Sequence, residues 1–499
     1  MSQIISIDSL MSQSGVAFGT SGARGLAVSM TDKVCWTYTK AFLQYISAKD
    51  PDTKTIALGG DLRPSTARIL AACAHAAKHA GWTVINCGQV PSPALALFGQ
   101  EKKIPSLMIT GSHIPEDRNG IKFNTATGEI TKEDEAGIRA QTVEIPDRVI
   151  DTLGGLTVRH KPPTAKPRPL QAYAERYIKF FEIGSLQGLR IGLYEHSTVG
   201  RDVAYEVLSG LGAKVTPFNR SETFIPVDTE AIRLVDVELA RRSCLKGDFD
   251  AIVSMDGDAD RPLLSDEKGK WLRGDVLGIL AAKALGISHL AIPVSCNTAA
   301  ELCKAFEKIE RTKIGSPYVI EGMEKLIKEG AKVAGYEANG GFLLRTPLVE
   351  GGRTLNALPT RDALLPIIAV LRWANHYKVP VSALLGTLPP RYTSSNRLKD
   401  FPSDQGKEHV EALGKGTKAS IKSKVKKLFG DMCGTLTEVD KTDGLRLTFD
   451  SGEIIHLRPS GNAPELRCYN EAATQVRAEE LTRKCLEIME KWRVVVDEE

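Results

Sequence analysis

A strand, a polar loop, a helix and a second strand follow one another in KTIALGGDLRPSTARILAACAHAAKHAGWTVINCG (54–88), and the order returns twice. Ile56, Ala57 and Leu58 form an apolar run that Gly59, Gly60 and Asp61 end; Ile69, Cys73, Ala76 and Ala80 then recur at helical spacing. In LRIGLYEHSTVGRDVAYEVLSGLGAKVTPF (189–218), Val203, Val207 and Leu211 share a helix face and Gly212 stops it. HLAIPVSCNTAAELCKAFEKIERTKIG (289–315) repeats the scheme. Units of this length favour parallel sheets with helices on both faces. Three copies predict three related α/β domains.

The punctuation between them supports this. RHKPPTAKPRPL (159–170) is Pro-rich and basic, as linkers are, and further boundaries fall near 268–273 and at GTLPPRYTSS (386–395). The expected bodies are 1–158, 170–268, 272–386 and 390–499. In the last, LRLTFDSGEIIHLRPS (445–460) alternates and turns at Asp450, Ser451 and Gly452, which reads as a hairpin in a smaller α+β domain. The charge run KGTKASIKSKVKKLFG (415–430) reads as a solvated helix face.

Bulk properties exclude several classes of function. Lys and Arg number 65 against 61 Asp and Glu, a net charge of +4, too balanced for a dedicated nucleic-acid binder. The nine cysteines contain no CxxC pair, so reduced thiols are expected rather than a disulfide framework or a zinc knuckle. MSQIISIDSLMSQSG lacks the basic-then-apolar layout of a secretory leader. No apolar run approaches the roughly 20 residues that span a bilayer. The expectation is a cytoplasmic protein with neither a membrane nor a nucleic acid as partner.

Five loops carry chemistry. FGTSGARG (18–25) surrounds Arg24 with glycines and small hydroxyls, a backbone suited to an anion and equally to a plain turn. MITGSHIPEDRNGIKF (108–123) places Ser112 at the carboxyl end of the strand SLMIT, with His113 and Lys122 able to manage its proton and charge. FDAIVSMDGDADRPLL (249–264) delivers Asp256, Asp258 and Asp260 at alternate positions, where three carboxylates repel unless a cation joins them. Hard oxygen ligands imply Mg²⁺, with Mn²⁺ or Ca²⁺ as substitutes. An EF-hand also begins D-x-D-x-D and Glu267 stands at its twelfth position, but Arg261 replaces its obligatory glycine and a strand precedes the loop. GYEANGGF (335–342) sets Glu337 and Asn339 between glycines, a pair suited to sugar hydroxyls or to a tight turn. RPSGNAPELR (458–467) frames Ser460, Gly461 and Asn462 with Arg458 and Arg467, a cradle for phosphate. A serine loop, a metal loop, a polyol loop and a phosphate cradle, one per domain, point to a shared central cleft.

In these residues the chain resembles the α-D-phosphohexomutases, a family of phosphoglucomutases, phosphomannomutases and phosphoglucosamine mutases, over essentially its whole length. TGSHIP with DRNGIKF, and GYEANGGFLL, are most similar to a bacterial phosphomannomutase branch. The resemblance implies a four-domain α/β architecture and the interconversion of hexose 6- and 1-phosphates through a phosphoserine enzyme and a 1,6-bisphosphate. It also implies Mg²⁺, hexose 1,6-bisphosphate as activator, a hexose phosphate as substrate, and a monomer or homodimer. By the same resemblance Ser112 matches the phosphorylated serine, His113 belongs to its loop and Lys122 matches a lysine of proton transfer. Asp256, Asp258 and Asp260 match the metal ligands, completed by the phosphoserine, while Arg24 and Arg261 resemble arginines that stabilise the moving phosphoryl group. Lys313, in RTKIGSPYVIEGM, resembles a lysine of the metal-loop and sugar neighbourhood, and Glu337 and Asn339 match the sugar loop. Arg458, Ser460, Gly461, Asn462 and Arg467 match the loop that grips the phosphate not being transferred. Two departures stand out: Ile114 where the family usually has Asn in S-H-N-P, and Gly341 where its sugar loop often ends E-x-S-G-H. Phosphoglucomutase or dual-specificity activity remains an alternative, as do a Mg²⁺-dependent phosphatase and a non-catalytic sugar-phosphate binding protein.

Overall fold

A computed structural model describes residues 2–19, 22–158, 161–430, 432–460 and 464–493. The chain divides into two compact units, one of Met1–Leu290 with Gly315–Leu385, the other of Ala291–Ile314 with Gly386–Glu499. The fold class is the expected one: helices and mixed sheets alternate through most of the chain and a smaller α+β part closes it.

The first unit contains a sheet in which Thr55–Gly60, next to the edge, runs parallel to both Thr83–Gln89 and Ser106–Ile109. Ser106–Ile109 then pairs antiparallel with Arg118–Thr125, which pairs antiparallel with Ala23–Leu26. The helix Thr66–His79 buries Ile69, Cys73 and Ala76, the face read from its spacing. With the helix Asp32–Lys49 it closes a core of Trp36, Phe42, Leu58, Leu107 and Phe123. Ser106–Ile109 is buried at every position, as a strand covered on both faces must be.

The second sheet runs Lys214–Arg220, Arg190–His196 and Ala251–Met255 in parallel, with Pro262–Leu264 antiparallel at its edge. Farther along the same unit, Val333–Tyr336, Phe342–Leu344 and Leu358–Asp362 pair antiparallel. Asp362 anchors the helix Leu364–Tyr377: it accepts the Leu364 N–H and the hydroxyls of Tyr173 and Tyr177, so a buried carboxylate is fully engaged.

The second unit contains a five-stranded antiparallel sheet in the order Tyr392–Lys399, Glu465–Ala472, Ile454–Pro459, Leu445–Phe449 and Leu436–Asp440. Leu445–Phe449 and Ile454–Pro459 are the hairpin read around Gly452. The charge run forms the helix Lys418–Phe429, whose Ile421, Val425 and Phe429 are buried at helical spacing while its lysines form the solvated face. The third repeat departs from expectation. Its strand Lys308–Thr312 follows only one helical turn, Ala299–Leu302, which Lys304 stops in a left-handed conformation at φ 53°. All nine cysteines are free thiols, eight of them buried. Among the described residues no helix is long and apolar enough to cross a membrane.

Candidate active site

The serine loop leaves the strand Ser106–Ile109 and turns at Ser112, whose φ is +57°. A left-handed conformation costs a non-glycine residue roughly 1–2 kcal/mol, so the loop must be held. Two residues hold it. Thr110 Oγ1 accepts the Ser112 N–H at 2.7 Å and donates to Asp61 Oδ2 at 2.8 Å. Arg63 spreads its guanidinium over four loop carbonyls, those of Ser112 (2.9 Å), Ile114 (2.5 Å), Pro115 (2.6 Å) and Arg118 (3.0 Å). Its Nε pairs with Asp61 at 3.2 Å, and its Cζ lies 4.1 Å from the centre of the Phe224 ring. Gly111 is glycine for this reason: a Cβ there would stand 2.6 Å from Arg63 Cζ.

So fixed, Ser112 Oγ donates to Asp256 Oδ2 at 2.6 Å and lies 3.4 Å from His113 Nδ1. Asp256 follows the strand Ala251–Met255, and its Oδ1 accepts the N–H groups of Asp260 and Arg261, each at 3.1 Å. The loop therefore folds back on its first carboxylate and brings one oxygen of each of Asp256, Asp258 and Asp260 within 4.8 Å of the others. All three are buried. Lys122 reaches them from the strand Arg118–Thr125: Nζ is 2.5 Å from Asp258 Oδ2 and 2.6 Å from Asp260 Oδ2, and Ser92 Oγ also donates to Asp258. Asp258 Oδ1 and Asp260 Oδ1 receive no hydrogen bond. Three clustered carboxylates, two with an unserved buried oxygen, fit a hard divalent cation. Burial and the neighbouring Asp258 and Asp260 push the Asp256 carboxyl well up. Burial also works to raise Asp258, but Lys122 outweighs it and holds that carboxyl down.

Cations surround this cluster. Burial, then Arg261 and Arg361, push Arg24 down to about 10. Gly120, its cross-strand partner, makes room for it, since a Cβ would lie 2.9 Å from Arg24 Cγ. Burial, Arg261 and Arg24 push the His113 imidazole well below its usual range. Burial works to lower Arg261 and Arg361 as well, but Asp260 outweighs it and holds both up. Arg361, on the strand Leu358–Asp362, joins them: Nε is 3.0 Å from Asp260 Oδ2 and Nη1 is 3.3 Å from Glu337 Oε2. Glu337 and Asn339 are buried in the turn after Val333–Tyr336. Asn339 Oδ1 accepts the Gly341 N–H at 2.9 Å, and its carbonyl accepts the Thr229 hydroxyl at 2.8 Å. The first unit thus brings together Arg24, Ser112, His113, Lys122, Asp256, Asp258, Asp260, Arg261, Glu337 and Asn339.

Lys313, Arg458, Ser460 and Arg467 lie in the second unit, and Gly461 and Asn462 lie outside the described residues. Lys313 is exposed. Arg458 pairs across strands with Arg467, which pairs in turn with Arg397, so three arginines form one row. Arg458 Nε is 2.9 Å from Asp443, while Arg467 and Arg397 share Glu465 at 2.8 and 3.2 Å. Like charges in register are unfavourable unless anions lie among them, and Asp443 and Glu465 supply those anions.

Residues 15–148 match the family model for phosphoglucomutase/phosphomannomutase α/β/α domain I, 273–392 that for α/β/α domain III, and 406–488 that for the C-terminal domain. The chain belongs to the phosphoglucomutase/phosphomannomutase family. A phosphomannomutase of Sinorhizobium fredii is 43% identical over 480 residues, 95% of this chain and 99% of the relative. A phosphomannomutase of Salmonella muenchen is 42% identical over 475 residues, 95% and 96% of the two chains. Among solved structures, a phosphoglucomutase/phosphomannomutase family protein of Burkholderia thailandensis superposes with a TM-score of 0.71 at 17% identity, over 95% of this chain and 96% of that one, and so shares the fold.

Within this family member, four residues of the site went unread in the sequence. Asp61 reads there only as the end of the first strand and Arg63 only as part of the polar loop; the signal was an Asp-x-Arg directly after Gly59–Gly60. Ser92 offered no signal. Arg361, in LPTRDALL, is a charge inside an apolar run, and buried charge always calls for a partner.

Proposed function

We propose that this chain is a phosphomannomutase that interconverts mannose 6-phosphate and mannose 1-phosphate through a phosphoserine at Ser112 and a 1,6-bisphosphate intermediate. One observation carries the reading: the Ser112 hydroxyl meets Asp256 at 2.6 Å beside the Asp258–Asp260–Lys122 cluster, in a chain 43% identical to a phosphomannomutase along 95% of its length.

In this scheme the phosphoserine P–O bond breaks as a P–O bond forms to the free hydroxyl of a hexose phosphate, and the sugar's proton passes to a base. His113 is assigned that proton, and Lys122, paired with Asp258 and Asp260, the charge beside it. The bisphosphate turns over and returns its other phosphoryl group to Ser112. Such a transfer depends on in-line placement and charge neutralisation, and Arg24 and Arg261 are assigned to the equatorial oxygens. A Mg²⁺ ion held by Asp256, Asp258, Asp260 and the Ser112 phosphate would supply the remaining positive charge. Lys313, Glu337 and Asn339 are assigned to the sugar. Arg458, Ser460, Gly461, Asn462 and Arg467 are assigned to the phosphate that stays. Hexose 1,6-bisphosphate would rephosphorylate Ser112 whenever the intermediate escapes. The reading includes domains at 1–158, 170–268, 272–386 and 390–499, a cytoplasmic location, and a monomer or homodimer.

The test is a paired assay with Mg²⁺, a trace of hexose 1,6-bisphosphate, and either mannose 1-phosphate or glucose 1-phosphate, following the 6-phosphate and free phosphate together. Preference for mannose 1-phosphate is expected. Equal or greater turnover of glucose 1-phosphate would move the substrate to glucose. Phosphate release without isomerisation would make the protein a phosphatase, and neither activity would leave a binding protein.

A further inference from the structure

The sugar loop of this chain ends in Gly341 where the pattern E-x-S-G-H places an imidazole, and the space beside Gly341 is filled from a neighbouring strand. A Cβ at position 341 would lie 2.7 Å from Arg361 Cγ, 2.8 Å from its Cδ and 3.0 Å from its Cβ. These are stem atoms close to the backbone, so Arg361 cannot give way and keep its guanidinium in place. That guanidinium, on a side chain only 3% exposed, is 3.3 Å from Glu337 Oε2, 3.0 Å from Asp260 Oδ2 and 3.9 Å from Glu129 Oε2. Glu129 is fixed in turn by the hydroxyls of Thr360 and Ser316, each at 2.7 Å. One buried cation therefore joins the carboxylate of the sugar loop to the last carboxylate of the metal loop.

We propose that Arg361 is the positioning residue of the sugar loop, a fixed cation supplied by the strand Leu358–Asp362 in place of the imidazole that Gly341 lacks, and that it orients Glu337 toward a hexose phosphate. The inference rests on the mutase reading. It makes Gly341 and Arg361 a linked pair: a side chain at 341 and an arginine at 361 exclude one another.

The experiment compares the wild type with Arg361→Ala, Arg361→Lys, Gly341→His and the double variant Gly341→His/Arg361→Ala. Hexose phosphate isomerisation is measured across neutral pH, with a thermal melt for each variant. Arg361→Ala and Gly341→His alone should each lower kcat/KM by on the order of tenfold to a hundredfold, with most of the loss of Arg361→Ala in KM. The double variant should recover about tenfold over Arg361→Ala. A fully active Gly341→His variant would overturn the proposal, as would a folded double variant no better than Arg361→Ala. Should Arg361→Ala fail to fold, Arg361→Lys decides: it keeps the charge without the fork, so an unchanged KM refutes the proposal and a raised KM at an unchanged melting temperature supports it. An inactive wild type would instead overturn the mutase reading itself, and the inference with it.

Discussion

Removing the Arg63 guanidinium should release the serine loop. The side chain donates to the carbonyls of Ser112, Ile114, Pro115 and Arg118 and pairs with Asp61, and both partners of that pair have fully buried side chains. A hydrogen bond from a charged group contributes about 1.5–3 kcal/mol, and four from one fork do not add. Breaking a buried pair from one side costs about 3–5 kcal/mol. Here the lower end applies, because Asp61 keeps the hydroxyls of Thr66 and Thr110 and the Arg63 backbone N–H. The left-handed Ser112 adds its own strain of roughly 1–2 kcal/mol to the drive for release. A fall of about 3 kcal/mol in the opening free energy of the loop corresponds to about a hundredfold faster amide exchange. In Arg63→Ala the Ser112, Ile114 and Arg118 amides should show it, while those of Thr55–Gly60 keep their protection. kcat should fall by about 10² or more, the scale of a 1 Å misplacement. Gly111→Ala reaches the same end by another route, since its methyl would press on the guanidinium. A folded Arg63→Ala protein whose loop amides exchange at the wild-type rate would refute the reasoning.

Other perturbations follow from the same geometry. Asp258→Asn removes a carboxylate that pairs with Lys122 at 2.5 Å, and Mn²⁺ titrated into the variant should bind at least about tenfold more weakly than to the wild type; equal affinity would remove Asp258 from the metal site. Arg467→Ala takes one arginine from the row Arg458–Arg467–Arg397 and should raise KM for a hexose phosphate about tenfold with a smaller change in kcat; an unchanged KM would place phosphate binding elsewhere. Burial pushes His456 down from 6.5 to about 4; its Nε2–H already donates to the Asp443 carbonyl, and its buried Nδ1 has no partner to receive a second proton. The unfolded chain therefore binds the proton that the folded one refuses. The second unit should keep full stability above pH 6.5 and lose about 3 kcal/mol as pH falls toward 4. A melting profile flat over that window, or one with the same slope in His456→Gln, would contradict this.

The sequence was most legible where chemistry is local. DGDAD lies in one loop at the end of one strand, so three carboxylates in alternation imply a cation before any fold is known. Ser112 could be placed because the apolar run Leu107–Ile109 precedes it and Gly111 and Pro115 bend the chain on either side of it. The lysine-rich helix read correctly as a solvated face because Ile421, Val425 and Phe429 keep helical spacing beneath the charges. The one-turn helix Ala299–Leu302 was harder, since the apolar residues fit a longer element and only the left-handed Lys304 cuts it short.

What stayed hidden are some of the partners of buried charge, for a physical reason. Asp256, Asp258, Asp260 and Glu337 cannot all remain ionised in a buried site unless cations reach them. Those cations arrive singly: Lys122 from the strand Arg118–Thr125, Arg24 from Ala23–Leu26, Arg361 from Leu358–Asp362. Arg24 and Lys122 are legible from their own loops, whereas Arg361, like Arg63, stands in a segment without a motif. For the arginines, an absent side chain opposite leaves the room. Gly120 gives Arg24 its room, Gly111 gives Arg63 its room, and Gly341 gives Arg361 its room. A glycine facing a buried arginine is thus the trace that such a partner leaves in sequence. It becomes readable only when both halves of the pair are considered together, and a change at one glycine should be tolerated only where the facing arginine changes with it.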